Sequence, residues 1–237
     1  MRTGFQIGQR TVCRIALLLL GLGVPVLAVP WSSQSRLLFE PVHQNAITRT
    51  LRGVLPEAQL QTLRAAQSAA DHDERAEDAQ LHAMAGVMGP ADRPNHRQRD
   101  FIARAEQTLA ALFAEAGAAR RQGNPTTAMA RLGAALHLLT DATSPAHRCF
   151  QPWDADAAFG DRLAHVWAER ITPAHGGNDG DRERLDAAVR WAYDLYTGDQ
   201  PLPDRFFEPL SGDLQIPAGY GVQNGHRTLA VCQRGSP

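Results

Sequence analysis

The strongest chemical pattern in this sequence is H-x3-D-x5-H, formed by His137, Asp141 and His147. Residues four positions apart lie on one face of an α-helix, with their Cβ atoms about 5–6 Å apart, so His137 and Asp141 can point at a common centre. Pro145 disfavours helical geometry at Ser144, which predicts that the helix ends there and that His147 turns back from a loop. Imidazole and carboxylate groups that converge in this way are typical of first-row metal sites.

A second pattern, H-x3-E, is formed by His165 and Glu169. Each motif also has a simpler interpretation. His137 could be a core histidine bonded to Asp141, and His165 and Glu169 could be an ordinary pair on a helix surface. Because both motifs fall within one short stretch of the chain, their combination favours metal binding over two unrelated pairs.

Residues 1–28 have the pattern of a signal peptide. Basic residues precede an apolar run, Ile15–Ala28, that is too short to span a bilayer. The small side chains of Val26 and Ala28 place the predicted cleavage after Ala28. No second long apolar stretch follows, so we expect an exported protein, periplasmic or secreted, without a transmembrane anchor.

The composition suits one globular domain, residues 29–237, with 43% hydrophobic and 21% charged residues. The formal net charge is −1, and loss of the leader, whose charged side chains are Arg2, Arg10 and Arg14, makes it more negative. This balance argues against a protein that binds nucleic acid or anionic membranes through an overall basic surface.

Export would leave two cysteines, Cys149 and Cys232. In an oxidising compartment an even pair is typical of a disulfide, which would tie the C-terminal tail to the segment after His147. Two buried free thiols are the alternative. Zinc ligation by either cysteine is disfavoured, because neither has a second cysteine at close spacing.

Helical patterns dominate the chain, and strand alternation is nowhere convincing, so the sequence predicts an all-α, single-domain fold. Asn124 and Pro125 provide an N-cap followed by proline at the first helical position. An irregular tail is expected after the last helix. The predicted helices are Pro56 to about Met84, Gln98–Gln122, Asn124–Asp141, Asp161 to about Ile171 and Arg182–Tyr196.

The stretch Phe113–Glu169 resembles the zinc-dependent phospholipase C family and, more distantly, the S1/P1-type nucleases that share its all-α, multi-helix fold. Within it, NPTTAMARLGAALHLLTDATSPAH is similar to the family's helix, metal-binding histidine, bridging aspartate, proline and second histidine. The resemblance implies two to three zinc ions in one cleft.

The same resemblance implies how the ligands divide among these ions. His137 and Asp141 would bind one zinc, with Asp141 bridging to another. The remaining zinc would be held by His147, His165 and Glu169.

Upstream, His82 matches the family's earlier zinc histidine, and Asp71 resembles the aspartate that serves as ligand and general base. Eleven residues of continuous helix span about 16 Å, so Asp71 and His82 can share one ion only if the helix breaks between them. Asp78, four residues before His82, is the helical alternative, and Asp73 is another.

His43 matches the family histidine that shares a zinc with the amino group and carbonyl of an N-terminal tryptophan. Trp31 lies twelve residues before His43. Cleavage after Ala28 leaves the dipeptide Val29-Pro30 in front of Trp31. Either this dipeptide is trimmed, or Trp31 does not ligate through its amine.

The resemblance implies a phosphodiester hydrolase of phospholipase C type that cleaves phospholipid head groups with a metal-activated water. Asp71 would accept the proton of that water. Glu169 favours this branch, since the nucleases usually have aspartate there, and Ser32 after Trp31 departs from their Trp-Gly start. The alternatives are an S1/P1-type single-strand nuclease or nucleotidase, and a non-catalytic zinc-stabilised binding protein.

Overall fold

The computed structural model describes residues 42–70, 76–86, 94–144, 147, 149–153 and 179–222. The predicted leader (residues 1–28), the predicted helix from Asp161 to Ile171, and Cys232 lie outside these ranges. The described cysteine, Cys149, is buried, and its pairing with Cys232 stays a prediction.

Most of the described chain is helical, as the sequence predicts. Two-residue strands, β1 and β2, pair in parallel with Ala85 opposite Pro152. In the described ranges, no helix is both long enough and apolar enough to cross a membrane. The elements in chain order are α1 (Val42–Leu51), α2 (Glu57–Ala70), the 3-10 helix η1 (Ala76–His82), β1 (Ala85–Gly86), α3 (Pro94–Arg121), α4 (Pro125–Asp141), β2 (Pro152–Trp153), α5 (Asp179–Thr197) and the 3-10 helix η2 (Ala218–Tyr220).

Helix α4 lies at the centre of the described fold. Its first turn is capped by Asn124, whose side-chain oxygen accepts from the Thr127 amide at 3.1 Å, and Pro125 follows the cap as predicted. Every residue from Ala135 to Asp141 is buried, which is expected of a helix covered on all sides. It packs against α2, α3, α5 and η1, so its histidine and carboxylate lie inside the protein.

A glycine allows α2 and α4 to approach closely. A Cβ atom at Gly133 would lie 2.5 Å from the Cβ of Ala66 and 2.8 Å from the carbonyl oxygen of Leu63. Any larger residue would push the two helices apart, because packed interiors leave no space to absorb such an overlap. This contact is one helical turn before His137 and brings α2 against the buried end of α4.

The predicted helix from Pro56 to about Met84 is wrong in its second half. The α-helix α2 is described to Ala70, and Ala76–His82 is a 3-10 helix. Ala83 then takes a left-handed conformation, with φ of 52°, which ends η1 directly after His82.

The irregular segment after α5, predicted from the sequence, is observed from Gly198 to Pro217. Polar contacts hold it against the helices. The carboxylate of Glu106 on α3 accepts from the backbone amides of Phe206 and Phe207 at 2.9 and 2.7 Å. Arg184 on α5 forms a buried ion pair with Asp213 at 3.0 Å, so the segment is fixed to two helices.

Candidate metal centre

Three buried side chains meet where the end of η1 faces the last turn of α4. The Nε2 atom of His137 lies 3.0 Å from Nδ1 of His82 and 3.2 Å from Oδ2 of Asp141. The remaining side of the triangle, from His82 Nδ1 to Asp141 Oδ2, is 3.4 Å. These residues form a group that could hold a metal ion.

The dimensions of this triangle match those of a metal site. With metal–nitrogen and metal–oxygen bonds near 2.1 Å, ligand atoms of a tetrahedral site are about 3.4 Å apart. The three observed separations of 3.0, 3.2 and 3.4 Å lie at or slightly below that value. Two imidazole nitrogens and one carboxylate oxygen are therefore close enough together to bind one metal ion.

The electrostatics of the cluster keep His137 and Asp141 in the protonation state that binds metal. Burial lowers the pKa of His137 to about 3, against the opposing effect of the Asp141 charge. Burial would raise the pKa of Asp141, but the surrounding histidines, with His137 foremost, hold it below its ordinary value. A neutral imidazole and an ionised carboxylate are the forms that bind metal, so both ligands are ready to bind near neutral pH.

His43 reaches the same cluster from α1. Its Nδ1 atom lies 2.7 Å from Oγ1 of Thr140 and 3.5 Å from Oδ1 of Asp141. The Thr140 hydroxyl donates to the carbonyl of Leu136 at 2.7 Å, so its oxygen accepts the Nδ1 proton of His43. That hydrogen bond leaves Nε2 as the His43 nitrogen with the lone pair.

His147 approaches from the loop after α4. Its Nδ1 atom donates to the backbone carbonyl oxygen of His82 and lies 3.8 Å from Oδ2 of Asp141. His147 therefore lies beside η1 and Asp141, and α4 ends at Asp141 rather than at Ser144, where the sequence predicted its end. The backbone pairing of β1 with β2, in which Ala85 donates to Gln151 at 3.1 Å, holds this loop beside η1.

The two carboxylate oxygens of Asp141 face different histidines. Oδ2 lies against His137 and His82, and Oδ1 lies on the side of His43. Asp141 therefore has one oxygen beside the His82–His137 pair and the other beside His43.

The remaining predicted ligands are not part of this cluster as the structure describes it. Trp31, Asp71, His165 and Glu169 lie outside the described ranges, as does the alternative Asp73. Asp78 lies on η1 and is not part of the His82 metal group. Its spacing of four residues aligns two side chains on an α-helix, whereas a 3-10 helix aligns residues three apart. Asp141, from another element, has its Oδ2 atom 3.4 Å from Nδ1 of His82.

Two buried residues that the sequence patterns did not single out contact the histidines. Thr140 accepts from His43, and Gln67 on α2 has its Nε2 atom 3.4 Å from Nδ1 of His137. Thr140 could have been singled out from the sequence, because it lies inside an apolar helix and next to the candidate ligand Asp141. Gln67 could not, because its contact with His137 depends on how α2 packs against α4.

Comparisons with known proteins give no further assignment: no protein-family model, curated protein or solved structure matches this chain.

Proposed function

We propose that this protein is an exported, zinc-dependent phosphodiester hydrolase of phospholipase C type. The observation that carries the proposal is the triangle of His82 Nδ1, His137 Nε2 and Asp141 Oδ2, with edges of 3.0 to 3.4 Å. The H-x3-D-x5-H and H-x3-E motifs supply the likeness to zinc phospholipases. The export pattern of residues 1–28 and the acidic charge of the remaining chain support the same reading.

Zinc is the metal that this donor set favours. Two imidazoles and one carboxylate suit zinc and other first-row ions, whereas calcium and magnesium prefer oxygen ligands alone. The spacing of the three atoms, 3.0 to 3.4 Å, is close to that of a tetrahedral site. Two further histidines lie beside Asp141: Nδ1 of His43 is 3.5 Å from Oδ1 and Nδ1 of His147 is 3.8 Å from Oδ2.

The residues of the cluster would act mainly by supplying charge and by fixing the positions of the bound metal ions. Bound zinc supplies a water of lowered pKa and polarises a phosphoryl oxygen. Asp141, ionised and bonded on both sides, would set the separation between two ions. Asp71, if the likeness holds, would accept the proton of the attacking water. Scission between glycerol and phosphate would release a phosphorylated head group.

A non-catalytic zinc-stabilised protein is the second candidate, and the burial of the cluster favours it. His137 is 1% exposed and Asp141 is 5% exposed, whereas a catalytic zinc keeps a coordination position open to substrate. A closed site would bind zinc for stability and would turn over nothing. The two candidates share the ligands and differ only in activity.

The decisive experiment measures metal content and hydrolysis on the same preparations. The full chain is expressed with export, purified, and assayed for zinc by mass spectrometry. Phosphocholine release is measured from phosphatidylcholine vesicles, and cleavage is measured on single-stranded DNA. The test variant is Asp141→Asn, and the matched control is Asp204→Asn, whose carboxylate is exposed.

We expect bound zinc, chelator-sensitive release of phosphocholine, and loss of both in Asp141→Asn but not in Asp204→Asn. DNA cleavage without lipid hydrolysis would replace the proposal with the nuclease alternative. Bound zinc with neither activity would replace it with the zinc-stabilised binding protein. Absence of bound metal would contradict all three readings.

A further inference from the structure

Gln67 is a fully buried polar side chain that contacts Nδ1 of His137, the ring nitrogen that does not face His82 and Asp141. It lies on α2 with 0% of its surface exposed, and its Nε2 atom is 3.4 Å from Nδ1 of His137. Its other polar atom, Oε1, is buried and has no hydrogen-bond partner. Leaving a buried amide oxygen unbonded costs about 1–3 kcal/mol, so this arrangement calls for an explanation.

The orientation of the amide decides which nitrogen of His137 carries the proton. An amide nitrogen can only donate, so with Nε2 facing Nδ1 the His137 proton would have to lie on its own Nε2. That atom faces His82 and Asp141, and a proton there would block metal binding. Rotation of the amide by 180° exchanges its oxygen and nitrogen with almost no change in shape.

With the amide rotated, Oε1 of Gln67 accepts from the Nδ1 proton of His137. The Nε2 lone pair of His137 then faces the centre of the triangle. Histidine ligands of metal sites usually donate their second nitrogen to a carbonyl or carboxylate in this way, and the bond fixes both tautomer and ring orientation. The same rotation gives Oε1 a partner and moves the amide nitrogen to the buried position that Oε1 now occupies.

We infer that Gln67 is the positioning residue of His137: its carbonyl oxygen holds the Nδ1 proton and thereby presents Nε2 to the metal. The inference rests on the proposed zinc site and adds to it a residue that touches neither metal nor substrate.

Two neighbouring histidines are held by the same kind of hydrogen bond. The Nδ1 proton of His43 is accepted by the hydroxyl oxygen of Thr140, and that of His147 is accepted by the backbone carbonyl of His82. In both, an oxygen acceptor holds Nδ1 and leaves the lone pair on Nε2. Gln67 supplies the corresponding acceptor for His137.

The fold holds Gln67 in place through the close approach of α2 and α4. A Cβ at Gly133 would lie 3.0 Å from the backbone nitrogen of Gln67, so the two backbones touch one turn before His137. This contact fixes the distance between the Gln67 backbone and the imidazole ring of His137. Gln67 is therefore held by backbone packing rather than by a flexible loop.

The test compares Gln67→Met, which keeps the length of the side chain and removes the acceptor, with Gln67→Glu, which keeps an oxygen acceptor. Gln61→Met is the matched control, because Gln61 lies on the same helix and is exposed. Zinc affinity is measured by competition with a chromophoric chelator. The ring N–H signals of the histidines are recorded by nitrogen-15 NMR on zinc-loaded protein, and melting temperatures confirm that each variant is folded.

We expect Gln67→Met to bind zinc about 10–100-fold more weakly than the unsubstituted protein. It should also lose the slowly exchanging Nδ1 proton signal of His137. Gln67→Glu should restore both the affinity and the signal, and Gln61→Met should leave both unchanged.

Equal zinc affinity and an unchanged His137 signal in folded Gln67→Met would overturn the inference and leave the zinc site standing. A zinc-loaded protein in which His137 binds through Nδ1 would also overturn the inference alone. Failure of the unsubstituted protein to bind zinc would instead overturn the inference and the proposed function together.

Discussion

The imidazole rings of His82 and His137 meet edge to face, with their centroids 4.8 Å apart and their planes at 88°. The ring nitrogens that face Asp141 are Nδ1 of His82 and Nε2 of His137, and these two atoms lie 3.0 Å apart. Two buried ring nitrogens at this distance must share either a proton or a metal ion. The carboxylate beside them supplies the negative charge that either would require.

Zinc should stabilise the folded protein. A ligand that binds only the folded state at a hundred times its dissociation constant adds about 2.7 kcal/mol. Titration of metal-free protein with zinc should therefore raise the melting temperature of the unsubstituted chain. Asp141→Asn should show little or no increase, and Asp204→Asn should behave like the unsubstituted chain. An equal increase in Asp141→Asn would show that zinc binds elsewhere.

The metal-free protein should lose stability in acid. The pKa of His137 is about 3 in the folded state and 6.5 in its unperturbed state. Between these values the unfolded chain binds a proton that the folded chain does not. The free energy of unfolding should therefore fall as the pH falls through this range, by about 1.4 kcal/mol per pH unit for each such proton.

Asp141 acts in the same direction at the acid end. Its pKa is lowered in the folded state from a value of 3.8, so the unfolded carboxylate takes up a proton first as the pH falls. Urea unfolding of chelator-treated protein across the range measures the combined effect. His137→Gln should flatten the dependence, and an equally steep loss of stability in that variant would exclude His137 as its source.

Gly133→Ala should destabilise the protein, because its new Cβ would overlap Ala66. Overpacking of this kind costs about 1–3 kcal/mol. Gly117→Ala is the matched control, since Gly117 also lies in a helix and its Cβ would meet only the end of the flexible Arg121 side chain at 3.3 Å. Alanine is the better helix former by up to about 1 kcal/mol, so the control should be neutral or stabilising. Equal effects at both positions, measured by urea unfolding, would contradict the packing argument.

Loss of Asp213 should be costly for the segment after α5. Arg184 and Asp213 are both buried, with side-chain exposures of 5% and 8%. Removal of one partner from a buried pair leaves an uncompensated charge, and this costs about 3–5 kcal/mol. Asp213→Ala should therefore unfold at lower urea than Asp204→Ala, and the double variant Arg184→Met, Asp213→Ala should recover part of the loss. No recovery in the double variant would mean that the pair's charge is not the cause.

The predictable part of this molecule is the part set by local sequence. The sequence predicts α4 and its N-cap from Asn124, Pro125 and the apolar spacing that follows. The four-residue spacing of His137 and Asp141 predicts that these two side chains lie together. The change from the α-helix that is described to Ala70 to the 3-10 helix that is described from Ala76 was not predicted, because the alanine-rich sequence resembles one long helix. The 3-10 geometry of η1 and the left-handed Ala83 aim His82 at Asp141, and both follow from tertiary packing.

His43 was expected near the site through likeness to other proteins and His147 through its spacing from Asp141, yet their hydrogen-bond partners could not be read from the sequence. The acceptors are a neighbouring hydroxyl, Thr140, and a backbone carbonyl. Such contacts depend on the distance between elements, which no motif encodes.

The residues that face each other in the metal centre are far apart along the chain. His82 and His137 are separated by 55 positions, and His43 and Thr140 by 97. Closing loops of such length costs conformational entropy before any contact forms, so the unfolded chain does not gather these donors. We therefore expect the helices to pack before the proposed zinc binds. Interactions made after the transition state for folding act on the unfolding rate, so zinc should slow the unfolding of this protein far more than it speeds its folding.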